Sequence, residues 1–337
     1  MIPVLVALLL PITAAFCVVR ALISPAKLQG LLLLTVFCSI GLGLGASSCV
    51  FFLWLTLGAA SHIPLVGFEL AFYVPICIIF ALIGWGRCRS YLSGEQFATS
   101  RWAQVATPPS AMRWFLLGVF LIVASCAVIS VWNLLAKCPY GDFDAVAIWN
   151  LRARFLYRGG ATHWQDVFVP ELVWTHPDYP LLLPASIARC WYYAGADSTL
   201  APRAVAFLFT LSTAGLLYTA LACLRDTSQA LLGTTILLST GLFLEAGTAE
   251  YADVPLGFFL LAMMSLAAID DARRLKGRFA ALGWIMGSFA AWTKNEGLLF
   301  LAVALLVRAV MALRRGLRSA SVEMGLALVA LLPVCAV

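Results

Sequence analysis

The chain has 337 residues, of which 63% are hydrophobic and 11% charged, with a formal net charge of +6. A soluble domain carries about 25% charged residues, so a water-soluble globule is excluded. The positive charges sit in short clusters between apolar runs, which makes them a topology signal rather than a nucleic-acid footprint.

Nine apolar segments follow in chain order, near residues 2–19, 29–59, 63–85, 112–134, 200–222, 229–247, 251–269, 281–312 and 321–337. An apolar run of roughly 18 or more residues reads as a membrane helix. The first has no basic leader and no small-residue cleavage site, so it reads as a retained span rather than a removable signal peptide. The second holds Gly41, Gly43 and Gly45 at its centre and is expected to tilt or kink. The third carries Glu69, a lone acid expected to pair within the bundle. The eighth is interrupted by Thr293-Lys294-Asn295-Glu296-Gly297 and is expected to form two short half-helices that dip in and return. The ninth stops inside an apolar run, so the chain is expected to be a fragment or to end in a short last helix.

Orientation follows from Lys and Arg in the short loops. Arg20/Lys27, Arg87/Arg89/Arg101/Arg113, Arg225, Arg273/Arg274/Lys276/Arg278 and Arg308/Arg314/Arg315/Arg318 alternate with the crossings and mark one side as cytoplasmic. The other side receives the loop 135–199, the Glu250–Asp253 turn and the Lys294–Glu296 turn. The expected fold is all-α, a polytopic transmembrane helical bundle with an outer loop carrying an interfacial amphipathic helix. Residues 1–86 form the N-terminal spans, 87–111 a cytoplasmic linker with Pro108 and Pro109, and 112–337 the region holding the polar residues of interest. None of the ten cysteines forms a CxxC pair; most lie in apolar runs as small hydrophobes. Cys138 and Cys190 flank the outer loop and are the pair placed for a disulfide.

The outer loop opens with Gly141-Asp142-Phe143-Asp144, after which the spacing is helical. Val146, Trp149, Ala153 and Leu156 share one stripe, and Asn150, Arg154 and Arg158 another, a pattern suited to the membrane surface. Asp142 and Asp144 sit at the helix start, where negative charge is favoured; one of them can cap the helix, which leaves the other to explain. Further on, His176-Pro177-Asp178-Tyr179-Pro180 leads to Pro184, a proline spacing that forbids a regular helix and stiffens the return. His163 with Asp166 and His176 with Asp178 leave a divalent cation open as a cofactor, although no metal-binding spacing such as HExxH is present. Asp253, two residues before Pro255, reads as a helix N-cap or as a site residue; Glu250 has no capping role. The helix preceding Lys294 is too short to cross about 30 Å of hydrocarbon at 1.5 Å per residue. Ionisable residues at such a break are functional candidates.

Four motifs in this order resemble the GT-C glycosyltransferases, in particular the bacterial branch related to family 39 and the Rgt-type lipopolysaccharide sugar transferases. They are Gly141-Asp142-Phe143-Asp144 with Trp149 and its following arginines, His176 to Pro184, Tyr251-Ala252-Asp253-Val254-Pro255, and Thr293 to Gly297. The resemblance covers roughly residues 112–318. It implies a GT-C-like bundle in a bacterial inner membrane. It also implies inverting transfer of a sugar from a polyprenyl-phosphate donor to a periplasmic acceptor, a glycolipid, polysaccharide or protein. The acid opening the first outer loop would be the catalytic base, Asp144 first and Asp142 second. A cation must wait for the leaving phosphate: Lys294 as a point charge, with Arg152 or Arg154 as a bidentate clamp. Trp149, His176, Asp178, Tyr179, Glu250, Asp253 and Glu296 are expected to line the substrate. The alternative class is a secondary transporter with a broken-helix site at Lys294 and Glu296; it calls for an internal repeat with a matching second break, and the sequence displays neither.

Overall fold

The computed structural model describes residues 1–23, 30–58, 62–92, 110–275 and 277–315, together with 325, 327 and 328. Among these the chain is helical throughout, with no strand. The helices are α1 (Ile2–Ile23), α2 (Leu31–Leu53), α3 (Leu65–Leu92), α4 (Ser110–Lys137), α5 (Asn150–His163), α6 (Leu182–Ala194), α7 (Leu200–Leu224), α8 (Thr227–Leu238), α9 (Gly241–Thr248), α10 (Asp253–Arg273), α11 (Arg278–Thr293) and α12 (Asn295–Arg315). Seven of them, α1, α2, α3, α4, α7, α10 and α12, are long and apolar enough to cross a membrane; the bent pair α8 and α9 is an eighth only if the two count as one broken span. Most of the expected linker 87–111 and nearly all of the ninth apolar segment lie outside the described residues, as do Lys27, Arg101, Lys276 and Arg318.

The core sits where α2, α7, α10 and α11 meet. Phe209, Phe258, Phe259 and Phe289 are buried there, with neighbouring ring centroids 5.3 to 5.8 Å apart and tilted or edge-on, the geometry that aromatic quadrupoles favour. The glycines of α2 serve this packing. A Cβ on Gly41 would stand 1.9 Å from the Phe258 ring, one on Gly45 2.6 Å from the Phe289 ring, and one on Gly43 2.8 Å from the α1 backbone at Ile12. The expected glycine kink is therefore corrected: α2 runs unbroken through all three, and its irregularity is a π-helical turn at Trp54–Gly58.

The outermost helices are α3, α4 and α12. Along α4 only 6% of the apolar window is buried against protein, so this helix offers its surface to lipid. Its exposed Trp114 and Trp132 lie about 27 Å apart along the axis at 1.5 Å per residue. That separation suits tryptophans at the two interfaces of a hydrocarbon layer about 30 Å thick.

Glu69 pairs within the bundle, as expected of a lone acid. It is fully buried on α3 and forms a salt bridge with Arg189 of α6, which is equally buried. Arg189 Nη2 donates to Glu69 Oε2 at 2.6 Å, the Tyr193 hydroxyl donates to the same oxygen at 2.6 Å, and Arg189 Nη1 donates to the Ala7 carbonyl of α1. This pair joins the N-terminal spans to α6, which falls within the expected outer loop 135–199 yet is buried against α1 and α2.

Three other expectations change. The eighth apolar segment breaks at Lys294, which is extended (φ −151°, ψ 157°), but its second half is no short half-helix: α12 is long enough to cross. The sixth segment is not straight; α8 and α9 meet at a bend of 67°, at the exposed residues Ser239 and Thr240. The Cys138–Cys190 bridge is absent, since Cys138 is exposed, Cys190 is buried, and both are free thiols.

The two ends of α10 define the two ends of the bundle, about 30 Å apart at 1.5 Å per residue. At its C-terminal end Arg273 donates to the Cys223 carbonyl of α7 at 2.6 Å, and Asp271 pairs with Arg308 of α12. At its N-terminal end lie the Glu250–Asp253 turn and Lys294. Arg273 and Arg308 thus lie at the end opposite the Lys294 turn.

Candidate functional site

The site is assembled from four short segments, 141–152, 176–179, 250–253 and 294–296. The first begins at a tight turn after α4. Gly141 has φ 74°, and a Cβ there would lie 2.9 Å from both the Ala249 carbonyl and Glu250 Oε2, so glycine is required by conformation and by space. The Asp142 N–H donates to the Ala249 carbonyl at 3.1 Å, tying the loop to the turn before α10. Asp144 occupies the cap position of a π-helical turn, Ala145–Trp149, yet its side chain accepts no capping bond. The Asp142 carboxylate accepts the neighbouring Phe143 N–H at 2.8 Å. Asp142 therefore stands at the helix start, its carbonyl accepting the Val146 N–H at 3.1 Å, and takes the capping role expected of one of the two acids; Asp144 is the one not used as a cap. Tyr251 stands against both: its hydroxyl reaches the Asp142 carboxylate and the Asp144 backbone, and burial, then the Asp142 charge, pushes its pKa up.

The π-helical turn also alters the helix faces. Trp149, Ala153 and Leu156 are buried as the stripe requires, but Val146 is 47% exposed and Asn150 is buried. An inserted π turn rotates the residues on either side of it relative to α-helical spacing, so the stripe drawn through Val146 and the polar stripe through Asn150 are corrected. Arg154 and Arg158 of that polar stripe do face outward, where both pair with Asp197, and Arg154 lies 6.0 Å from the Trp191 ring centroid.

Arg152 is fully buried and spends its guanidinium on the return loop. Its Nη1 donates to the Tyr179 carbonyl at 2.7 Å and the His176 carbonyl at 3.4 Å, and its Nη2 to the Pro177 carbonyl at 3.4 Å. Burial lowers its pKa to about 10, partly offset by Asp178, which leaves it cationic at neutral pH. This arrangement staples the loop through both Nη atoms, while Arg152 Nε has no hydrogen-bond partner among the described residues. His176 is held in the left-handed region at φ 52°, a strained conformation for this residue type.

The staple sets Tyr179 at the centre of an aromatic group. Its ring stacks on Trp149 (centroids 5.6 Å apart, 3° between planes) and on His176 (5.1 Å, 20°), and the Lys294 ammonium lies 5.5 Å from its centroid. Lys294 Nζ donates to Asp253 Oδ1 at 3.1 Å and sits 3.6 Å from Glu296 Oε1. Burial pulls the Lys294 pKa down, but the adjacent Asp253 and Glu296 charges outweigh it, so the net shift is upward and the lysine is charged. Asn295 Nδ2 donates to Asp178 Oδ2 at 2.8 Å, locking the lysine turn to the return loop. Gly297 permits that turn: a Cβ there would stand 1.9 Å from the Ala290 carbonyl oxygen. Asp253 is the first residue of α10 and makes no cap bond; the cap position belongs to Ala252. The N-cap reading of Asp253 is thus corrected, and its carboxylate, 55% exposed, serves Lys294 instead.

Glu250 is buried at φ 63°. Its Oε2 accepts Asn150 Nδ2 at 2.7 Å. Burial raises its pKa to about 7, against the Asn150 hydrogen bond and the Arg203 charge. Sequence reasoning missed the partners that organise these groups. Asn150, Tyr251, Asn295 and Arg203 lie up to 100 or more positions from what they touch, and nothing local signals the pairing. His163 and Asp166 form a separate exposed pair 3.8 Å apart. Among the described residues no group of three or more His, Cys, Asp or Glu side chains is placed to hold a metal ion, so the histidines do not fit a divalent-cation centre.

Fold and site together define a multi-pass helical membrane protein with a polar, aromatic-lined cluster at the end of the bundle opposite Arg273 and Arg308. No known family, curated protein or solved structure matches the chain.

Proposed function

We propose that this protein is a membrane glycosyltransferase with a GT-C-like architecture. It moves a sugar from a polyprenyl-phosphate donor to an envelope glycan or protein acceptor, on the periplasmic face of a bacterial inner membrane. The observation that carries the reading is the meeting of the four motif segments: Lys294 contacts Asp253, Glu296 and Tyr179, Asn295 contacts Asp178, and Glu250 contacts Asn150. A charged headgroup on an apolar chain needs such a cluster where helices meet lipid, and α4 and α12 are sparsely covered by protein.

In this reading the acceptor hydroxyl attacks the anomeric carbon in line. Its proton passes to the Asp144 carboxylate, with Asp142 as the second candidate base. The bond from the anomeric carbon to the phosphate oxygen breaks, and the phosphate leaves with the electron pair, inverting the carbon. Lys294 receives that charge; the exposed Asp253 carboxylate turns away to let the phosphate take its place. Tyr179 holds the stack of Trp149 and His176, the exposed His176 ring offers a flat face to a sugar ring, and Asp178 and Glu296 accept hydrogen bonds from the sugar hydroxyls. Arg152 holds the return loop, and Arg154 stands with Asp197 outside this group. The helix 145–163 then lies along the outer membrane interface, with Arg158 and the exposed Val146 on its outward side.

The test is donor consumption by membranes containing the protein. A polyprenyl-phosphate sugar is consumed only when an acceptor is supplied. Donor turnover that does not differ from membranes lacking the protein, over a panel of sugars and acceptors, overturns the proposal. The transporter reading gains one point, the bend between α8 and α9, which is a second break. That break carries no ionisable side chain, whereas coupled transport through paired broken helices places ligand or ion sites at them. Uptake of a solute into sealed vesicles without sugar transfer is the outcome that would favour it.

A further inference from the structure

The Glu250–Asn150 contact holds an unresolved count of hydrogen bonds. Both side chains are buried. Asn150 Nδ2 donates to Glu250 Oε2 at 2.7 Å, yet Glu250 Oε1 and Asn150 Oδ1 have no hydrogen-bond partner among the described residues. Two acceptors of one bonded pair therefore lack a donor, and each buried, unsatisfied polar atom costs on the order of a kcal/mol or more. A carboxylate brings only acceptors. One proton on Oε1, donated to Asn150 Oδ1, satisfies both atoms at once and closes a reciprocal carboxyl–amide pair.

We propose that Glu250 is a protonated, neutral positioning residue, and that its carboxyl–amide pair with Asn150 clamps the Asp142–Trp149 segment to the turn before α10. Three contacts make the clamp. Gly141 lies directly on the Glu250 carboxyl, Asp142 N–H bonds to Ala249, and Asn150 follows the π-helical turn that Asp144 opens. The strained φ of 63° at Glu250 is the backbone cost of aiming the carboxyl inward. The surrounding charges are few. Arg203 of α7, whose Nε donates to the Pro139 carbonyl at 3.1 Å, opposes protonation. Asp142 lies on the clamped loop beside Tyr251, and Glu245 of α9 is exposed. From α5 the facing group is the neutral Asn150. Removal of the proton leaves buried acceptors with no donor and loosens the loop that carries both candidate bases. Within the sugar-transfer reading this excludes Glu250 as the base, but the inference itself stands apart from that reading, because its test reads a proton and not a product.

The sign of the pH effect follows from the direction of the shift. The folded state holds the Glu250 proton from the ordinary value of 4.5 up to about 7. Stability is greatest below that window, falls as pH rises through it, and is level above it. The experiment uses the full-length protein in detergent, as wild type, Glu250→Gln and Glu250→Ala. Infrared spectra recorded from about pH 5 to about pH 9 are expected to show a protonated-carboxyl band that fades near neutral pH in wild type and is missing from Glu250→Gln. Glutamine mimics the protonated acid, since its Nε2 donates to Asn150 Oδ1 and its Oε1 accepts from Nδ2. It is expected to melt as wild type does at about pH 5 and to lose the fall in melting point from there up to about pH 7, whereas Glu250→Ala melts lower throughout. A Glu250→Gln variant as unstable as Glu250→Ala, or the absence of that carboxyl band in wild type, would overturn the proposal.

Discussion

Replacing Glu69 by leucine removes the only carboxylate among the described residues that pairs with the buried Arg189. In the native structure Arg189 gives two donors to Glu69 and one to the Ala7 carbonyl, and its guanidinium carbon lies 5.1 Å from the Tyr193 ring centroid. After the change one carbonyl and one aromatic ring remain for a guanidinium that is 1% exposed. Breaking a buried ion pair from one side costs about 3–5 kcal/mol, while replacing both partners by apolar groups is often close to neutral. Glu69→Leu and Arg189→Met should each lower the melting temperature by roughly 10 °C, at about 2–4 °C per kcal/mol for a chain of this size class. The double variant should recover most of the loss, a coupling of at least about 2 kcal/mol. The assay is thermal unfolding of the four purified proteins in one detergent at one scan rate, because membrane proteins often unfold irreversibly. Single variants within about 2 °C of wild type, or a double variant showing the full sum of both losses, would refute the claim that this pair ties α1 and α3 to α6.

Two further changes probe the cluster itself. Lys294→Ala removes a charge-assisted contact worth about 1.5–3 kcal/mol, so donor KM or kcat/KM should worsen by about 10- to 100-fold with a small change in melting point; an unfolded variant or unchanged kinetics would contradict the role given to it. Gly297→Ala forces a Cβ onto the Ala290 carbonyl and should destabilise by about 1–3 kcal/mol. Gly257→Ala in α10, where a Cβ meets nothing within 4 Å, is the control and should be neutral or slightly stabilising.

What was legible in the sequence tracks what is local. Long apolar runs reveal spans because the bilayer demands them, and α1, α3, α4, α7 and α10 fall where hydropathy puts them. The break at Lys294 is readable because a lysine and a glutamate flank it and Gly297 closes it. The bend between α8 and α9 escapes notice because Ser239 and Thr240 fit an apolar helix as well as a break. The π-helical turn at Ala145–Trp149 defeats the stripe pattern, since a periodicity argument assumes 3.6 residues per turn. The four segments of the site were visible as motifs, yet their partners were not. Asn150 meets Glu250 and Asn295 meets Asp178 through tertiary packing alone. Arg152 looked like a free cation because composition does not record that three carbonyls of a proline-rich loop surround it.

The measurement that bears most directly on the proposed activity is sugar transfer by Asp144→Asn in reconstituted vesicles, compared with wild type at matched protein level and matched melting temperature. Asparagine keeps the shape of the side chain and removes the basic carboxylate, and Asp144 makes no capping bond whose loss would disturb the helix. Transfer from a polyprenyl-phosphate sugar should fall by about 100-fold or more, the size expected for loss of a general base, while the variant stays folded. Undiminished transfer by a folded Asp144→Asn protein would contradict the assignment of Asp144 as the base.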